Sequence, residues 1–250
     1  MKGLLEDKVT LVTGAAAGIG RTIVRHLADA GAVGLGFDIA ARGMDLPSGW
    51  ITRPGDVCSE DDVGDAVEAV RNEFGRLDVV VANAGVVPPW RETEAIDLDE
   101  WDRVFAVNVR GVVATIKHAV PLMKATGGSI VILGSLNSHR AHPRQCLYTA
   151  SKHAVLGITR SVALDLGRFD IRVNALGPGP IATEALLERI DARANSGGPA
   201  ATEALQQYAA ETALGRLATE DDVARAALFL SSAHSSGISG QILPVDAGLP

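Results

Sequence analysis

The chain has 250 residues, 47% of them apolar and 21% charged, with a formal net charge of −7. That balance offers no basic face for nucleic acid, and no apolar run is long enough to span a bilayer. The cysteines, Cys58 and Cys146, stand in no disulfide or zinc pattern, and no signal-peptide apolar stretch follows Met1, so a cytoplasmic protein with a small-molecule partner is expected.

Lys8 to Thr13 forms a short β-rich run. It passes at once into Gly14-Ala15-Ala16-Ala17-Gly18-Ile19-Gly20, after which Ile19, Ile23, Leu27 and Ala30 recur at helical spacing until Gly31. Strand, glycine turn and helix together make a phosphate cradle. The chain turns tightly, the missing side chains admit a pyrophosphate, and helix N–H groups face it. Gly14, Ala17, Gly18, Ile19 and Gly20 are therefore candidate cofactor contacts, although the spacing is Gly-x3-Gly-x-Gly rather than the commoner Gly-x-Gly-x-x-Gly. The next strand, Val33 to Phe37, ends at Asp38, 18 residues after Gly20. A carboxylate at that distance accepts hydrogen bonds from the adenosine ribose hydroxyls and repels a 2′-phosphate. No basic residue follows it, and Ala17 fills the loop position where an arginine or lysine would help a 2′-phosphate, so NAD is the expected cofactor.

Gly43, Pro47 and Gly49 fall in the short connection from Asp38 to a strand at Ile51–Arg53, which is too brief for a crossover helix. Asp56 and Val57 come next, placed to edge an adenine. Ser59-Glu60-Asp61-Asp62 reads as an N-cap with acids in the first turn. The helix it opens turns Val63, Ala66, Val67 and Val70 inward and runs to about Phe74. Asp78 to Ala82 is a buried strand closing on Asn83-Ala84-Gly85. Asp97 or Asp99 can cap a long helix through Trp101, Val104, Val107 and Val112 toward Met123, with Asn108 inside it. Ser129 to Leu133 is an apolar strand, and Ser135 falls just past its carboxyl end, the edge where open α/β sheets bind ligands.

A polar loop from Leu136 to Leu147 leads into Tyr148-Thr149-Ala150-Ser151-Lys152, on a helix reaching about Phe169. A phenol and an ammonium four residues apart share one helix face. A free phenol titrates near about 10, and a fixed cation beside it favours the phenolate. Lowering that value by ~2–3 units corresponds to roughly 3–4 kcal/mol of differential stabilisation. Taken alone, the pair is more often a packed ring and a solvated lysine, and the case for chemistry has to come from the rest of the chain. Ile171 to Leu176 is the sixth strand, followed by Gly177-Pro178-Gly179-Pro180-Ile181-Ala182-Thr183. Residues 184–212 are alanine-rich and polar and read as a mobile helical lid. Thr219-Glu220-Asp221-Asp222 caps a helix to about Leu230, and Gln241 to Val245 is a final strand. The alternation predicts one α/β domain: a doubly wound, Rossmann-like, seven-stranded parallel sheet with helices on both faces.

In order and spacing, Thr13-Gly14-x3-Gly18-x-Gly20, Asn83-Ala84-Gly85, Asn108, Ser135, Tyr148-x3-Lys152 and Pro178-Gly179 with Thr183 make the chain resemble the short-chain dehydrogenase/reductase family over essentially its whole length. Two departures are small: Ala82 where the family often has a second asparagine, and Val245-Asp246-Ala247-Gly248 for a more usual glycine pair. The resemblance implies that Tyr148 exchanges a proton with the substrate oxygen while Ser135 hydrogen-bonds it. Lys152 would lower the tyrosine pKa and bond the nicotinamide ribose, and Asn108, through a helix kink, would hold a water on a proton path. Asn83, Ala84 and Gly85 would line the cofactor channel, and Pro178, Gly179, Ile181 and Thr183 would fix the carboxamide end. It further implies a secondary alcohol or ketone substrate and a homotetramer on the long helices. The polar loop before Tyr148 suits a sugar, polyol or cyclic diol, while Val86, Val87, Trp90 and Leu147 could equally clasp a hydrophobic ketone. The alternatives are an NADP-dependent 3-ketoacyl reductase and a non-catalytic nucleotide sensor. A metal enzyme using His139, His142 and Cys146 is disfavoured, because those residues share no helical register and have no acidic neighbours.

Overall fold

Short runs rich in β-branched residues build seven strands that all join one parallel sheet. They are β1 (Val9–Thr13), β2 (Val33–Asp38), β3 (Trp50–Pro54), β4 (Val79–Ala82), β5 (Gly128–Leu133), β6 (Ile171–Pro178) and β7 (Ile242–Val245). The computed structural model describes residues 3–40, 43–183, 186–187, 190–191 and 200–249. The order across the sheet is β3-β2-β1-β4-β5-β6-β7. In register, Leu11 of β1 lies between Leu35 of β2 and Val80 of β4. The chain therefore winds outward from β1 to β3, returns, and winds the other way from β4. That reversal opens a crevice between the carboxyl ends of β1 and β4, the place where such sheets take their ligands.

The central strands read as continuous apolar runs because both their faces are covered. In β5, Ile130 and Ile132 pack into one core while Val131 and Leu133 pack into the other. The first core is closed by α2 (Glu60–Phe74), α4 (Gly111–Met123) and α5 (Cys146–Leu166), and the second by α1 (Gly18–Asp29) and α7 (Glu220–Ser231). Between them in the chain lie α3 (Leu98–Phe105) and α6 (Ala201–Ala210). Helix starts are set by side-chain caps as the sequence indicates: Ser59 accepts from Asp62 N–H, Asp97 from Asp99 and Glu100, and Thr219 forms a reciprocal box with Asp222. No described residue between β2 and β3 is helical, in keeping with the short connection there.

Two elements differ in detail from the expectation. The long helix through Asn108, with the kink there that the resemblance implies, is α3, one wide π turn (Ala106–Arg110) and then α4. Nothing in the local residues marks that break, since neither glycine nor proline lies between Trp101 and Arg110. The cause is tertiary: the Asn108 side chain bonds the backbone of Val86, and a turn with one extra residue aims it there. β6 runs two residues beyond Leu176, because Gly177 and Pro178 pair with Pro244 and Val245 of β7. The 184–212 segment lies partly outside the described residues; within it, α6 is helical. No helix among the described residues is long and apolar enough to cross a membrane.

Candidate active site

The glycine turn after β1 is built around two close backbone approaches. Gly14 has a φ of +68°, a region that only glycine occupies without cost. A Cβ at Gly20 would fall 1.9 Å from the Gly14 carbonyl oxygen. Gly20→Ala is therefore expected to force the turn open, costing about 2 kcal/mol or more by overpacking. Thermal unfolding should record a Tm lower by roughly 4–8 °C, with weaker dinucleotide binding. The turn is also held from β4. Asn83 donates both amide hydrogens to main-chain oxygens, those of Thr13 (3.0 Å) and Gly14 (2.9 Å), and Thr13 Oγ1 accepts from the N–H groups of Asn83 and Ala84. Asn83 thus holds the shape of the glycine turn from β4. Thr13 is the partner that sequence reasoning placed in the motif without assigning it this role.

Asp38 ends β2 beside that turn. One carboxylate oxygen accepts from Ala16 N–H (2.9 Å) and the other from Ala40 N–H (2.8 Å). Two backbone donors orient the carboxylate and leave lone pairs on both oxygens for a diol. The adenine-side pair is arranged differently from a simple side-chain contact. Val57 is 7% exposed and its side chain packs on Gly111 in the core, while the exposed Asp56 accepts from Cys58 N–H. Arg110, the last residue of the π turn, donates to the Cys58 carbonyl and ties this loop to the helix below.

At the carboxyl ends of β4 and β5 the remaining candidates converge. Lys152 is 6% exposed, and its Nζ donates to the Leu133 carbonyl at 2.8 Å. Burial pushes its ammonium down from the usual 10.5 to about 8. The same Nζ lies 5.8 Å from the centroid of the Tyr148 ring. A Cβ added to Gly85 would meet Asn108 Oδ1 at 3.3 Å and Lys152 Nζ at 3.7 Å, so these three residues share one small volume. Asn108 is fully buried; its Oδ1 accepts from Val86 N–H, and its Nδ2 donates to the Val86 carbonyl and to Ser151 Oγ. Both amide hydrogens are therefore engaged within the protein. Ser135 caps a short 3-10 turn, its Oγ accepting from Asn137 N–H while its own N–H donates to Ser138 Oγ.

The wall after β6 is equally close-built. Gly179 N–H donates to the Val245 carbonyl, and a Cβ there would meet Asp246 Cβ at 2.8 Å. Ile181 bridges to Ala218 and is buried against α7, and Thr183 Oγ1 accepts from Leu186 N–H. In front of Tyr148 lies a cleft lined by Pro88, Pro89, Ile96, Leu147, Arg91 and Gln145 among others. His139, His142 and Cys146 are exposed on its loop. No group of three or more His, Cys, Asp or Glu among the described residues is placed to hold a metal ion.

The arrangement sets a glycine turn at a helix N-terminus, a carboxylate held by two backbone donors at a strand end, and a phenol beside a buried cation. The profile of the family described as enoyl-(acyl carrier protein) reductase matches residues 14–250. Short-chain dehydrogenase reductase 3a of Arabidopsis thaliana is 38% identical over 262 residues, covering 99% of this chain and 97% of that protein. The ligand-free aldohexose dehydrogenase of Thermoplasma acidophilum superposes with a TM-score of 0.91 at 31% identity, covering 100% of this chain and 96% of the other. Carveol dehydrogenase of Mycobacterium avium, solved in complex with NAD, gives a TM-score of 0.90 at 30% identity over 99% of each chain. On the full-length match of sequence and sheet alike, the chain belongs to the short-chain dehydrogenase/reductase family of nicotinamide-dependent oxidoreductases.

Proposed function

We propose that the protein is an NAD-dependent oxidoreductase interconverting a secondary alcohol and its ketone, and that the alcohol sits on a largely apolar ring, as in a cyclic alcohol or diol. The observation that carries the reading is the shared volume of Gly85, Asn108 and Lys152 one helical turn from Tyr148. NAD held in the cradle supplies the acceptor for the substrate's hydride. Tyr148 takes the hydroxyl proton in oxidation and returns it in reduction. Ser135, already accepting from Asn137, directs its own hydroxyl proton to the same oxygen and stabilises charge there. Lys152 brings the positive charge that favours the phenolate, and its bond to Leu133 fixes where that charge stands. Both amide hydrogens of Asn108 are engaged, so a water on the proton path would donate to its Oδ1, which accepts one bond from Val86 and lies beside Lys152 at Gly85.

The preference for an apolar ring comes from where the polar groups of the cleft point. Arg91 pairs with Glu100, Arg144 pairs with Glu92, and Gln145 accepts from Asn137. A sugar would have to displace those bonds, whereas Pro89 and Ile96 present apolar surface as they stand. Carveol dehydrogenase and aldohexose dehydrogenase resemble the chain to the same degree, so the choice of a ring alcohol over a sugar rests on the cleft. We also infer a homotetramer packed through α4 and α5, whose outer faces expose Val113 and Leu164; light scattering on the purified protein checks it.

The decisive experiment follows NADH formation against cyclic alcohols and diols, sugars, polyols and steroids, with 3-ketoacyl thioesters and NADPH in the reverse direction. Turnover of a ring alcohol with NAD is expected; turnover confined to NADPH and ketoacyl thioesters would overturn the reading. Asp38→Ala should weaken NAD by about 10–100-fold, as expected for losing hydrogen bonds to a charged group. It should also narrow the gap to NADP. An unchanged cofactor preference in a titration of both dinucleotides would remove Asp38 from the ribose site.

A further inference from the structure

Ser151 lies between the tyrosine and the lysine of the helical pair, fully buried, and the chemistry above gives it no role. Its hydroxyl accepts from Asn108 Nδ2 at 3.2 Å and donates to the Tyr148 carbonyl at 2.8 Å. Asn108 in turn clasps Val86 through both that residue's N–H (2.8 Å) and its carbonyl (2.9 Å). The Val86 N–H fixes which end of the amide carries oxygen, so Nδ2 must face Ser151. These bonds form one chain running from the start of the Val86–Arg91 loop, through the π turn, to the first turn of α5. Pro88, Pro89 and Arg91 of that loop line the cleft in front of Tyr148.

We propose that Ser151 is a positioning residue, whose hydroxyl couples the cleft loop and the Asn108 turn to Tyr148 so that loop and phenol are held in register. The proposal rests on the oxidoreductase reading above. A serine hydroxyl can donate one bond and accept another at once, which is what a link between an amide donor and a carbonyl acceptor needs. Alanine at 151 leaves an Asn108 hydrogen and the Tyr148 carbonyl without this partner in a fully buried place, and buried unpaired amides rearrange. The Asn108 amide then loses its tie to α5 while keeping its two bonds to Val86, and the loop and the phenol move independently.

The test is a double-variant cycle of Ser151→Ala and Asn108→Ala, read with a substrate identified in the screen above. Ser151→Ala should lower kcat by about 10–30-fold with KM for NAD within twofold. The rising limb of kcat against pH should move upward, because the phenol is less firmly held near the lysine. Amide hydrogen exchange at Val86 should speed up at least tenfold, a readout that needs no substrate. Ser151→Cys keeps a donor and acceptor of similar size and should recover part of kcat; it replaces alanine in the cycle if that variant does not fold. The double variant should be no worse than Asn108→Ala alone, since residues acting as one unit do not add. Additive losses, or wild-type kcat, pH profile and Val86 exchange in the Ser151 variants, overturn the proposal. Tyr148→Phe run alongside separates the two readings: if it retains turnover the oxidoreductase assignment fails, and if it is inactive while Ser151→Ala is normal, only the coupling fails.

Discussion

Tyr148→Phe is expected to lower kcat by about 1000-fold, the range of a positioned acid/base group, while NAD affinity stays within about threefold. The substitution removes one oxygen from a half-buried ring in the first turn of α5 and leaves its packing in place. The glycine turn of Gly14, Gly18 and Gly20 and the proposed ribose contact Asp38 belong to other elements, at the ends of β1 and β2, so dinucleotide binding has no reason to fall with turnover. Fluorescence titration of NADH with parallel turnover measurement separates the two quantities. Retained turnover would show that some other group moves the proton.

Lys152→Met should give the opposite signs in activity and stability. Turnover is expected to fall by about 100-fold or more, because the phenol loses the buried cation 5.8 Å from its ring centroid. Stability at pH 7 is expected to rise. Burial lowers the ammonium from 10.5 to about 8, which corresponds to roughly 3 kcal/mol against the folded state wherever the lysine is charged in both states. The bond to Leu133 returns about 1 kcal/mol of that, leaving a net gain of about 2 kcal/mol, or a Tm higher by roughly 4–8 °C. The sign with pH follows. The penalty is complete below pH 8 and disappears as the pH rises from about 8 to 10.5, since there the unfolded chain holds more protons than the folded one. The difference in Tm between the variant and the parent should therefore shrink across that interval in calorimetric scans. A variant less stable than the parent at pH 7 would mean that the lysine stem packs for stability rather than for charge. A buried charge retained against its own stability cost is a mark of function.

The sequence by itself determined the sheet and the place of the ligand crevice. Seven apolar runs separated by capped helices allow little but a doubly wound parallel sheet, because each run must bury two faces. The glycine turn and Asp38 were legible for the same local reason: backbone approach demands missing side chains, and a strand end presents whatever residue it carries. The helix faces were legible too, with Ser59, Asp97 and Thr219 each standing where a cap is needed. What only the tertiary structure decided is what each polar side chain touches. The π turn at Asn108 has no local signal, since its cause is a hydrogen-bonded loop 22 residues away in sequence. Asn83 holds the glycine turn, Val57 lies in the core, and Arg140 reaches Leu249. A hydrogen bond depends on a partner within about 3 Å, and spacing along the chain fixes that distance only for neighbours on one helix or strand.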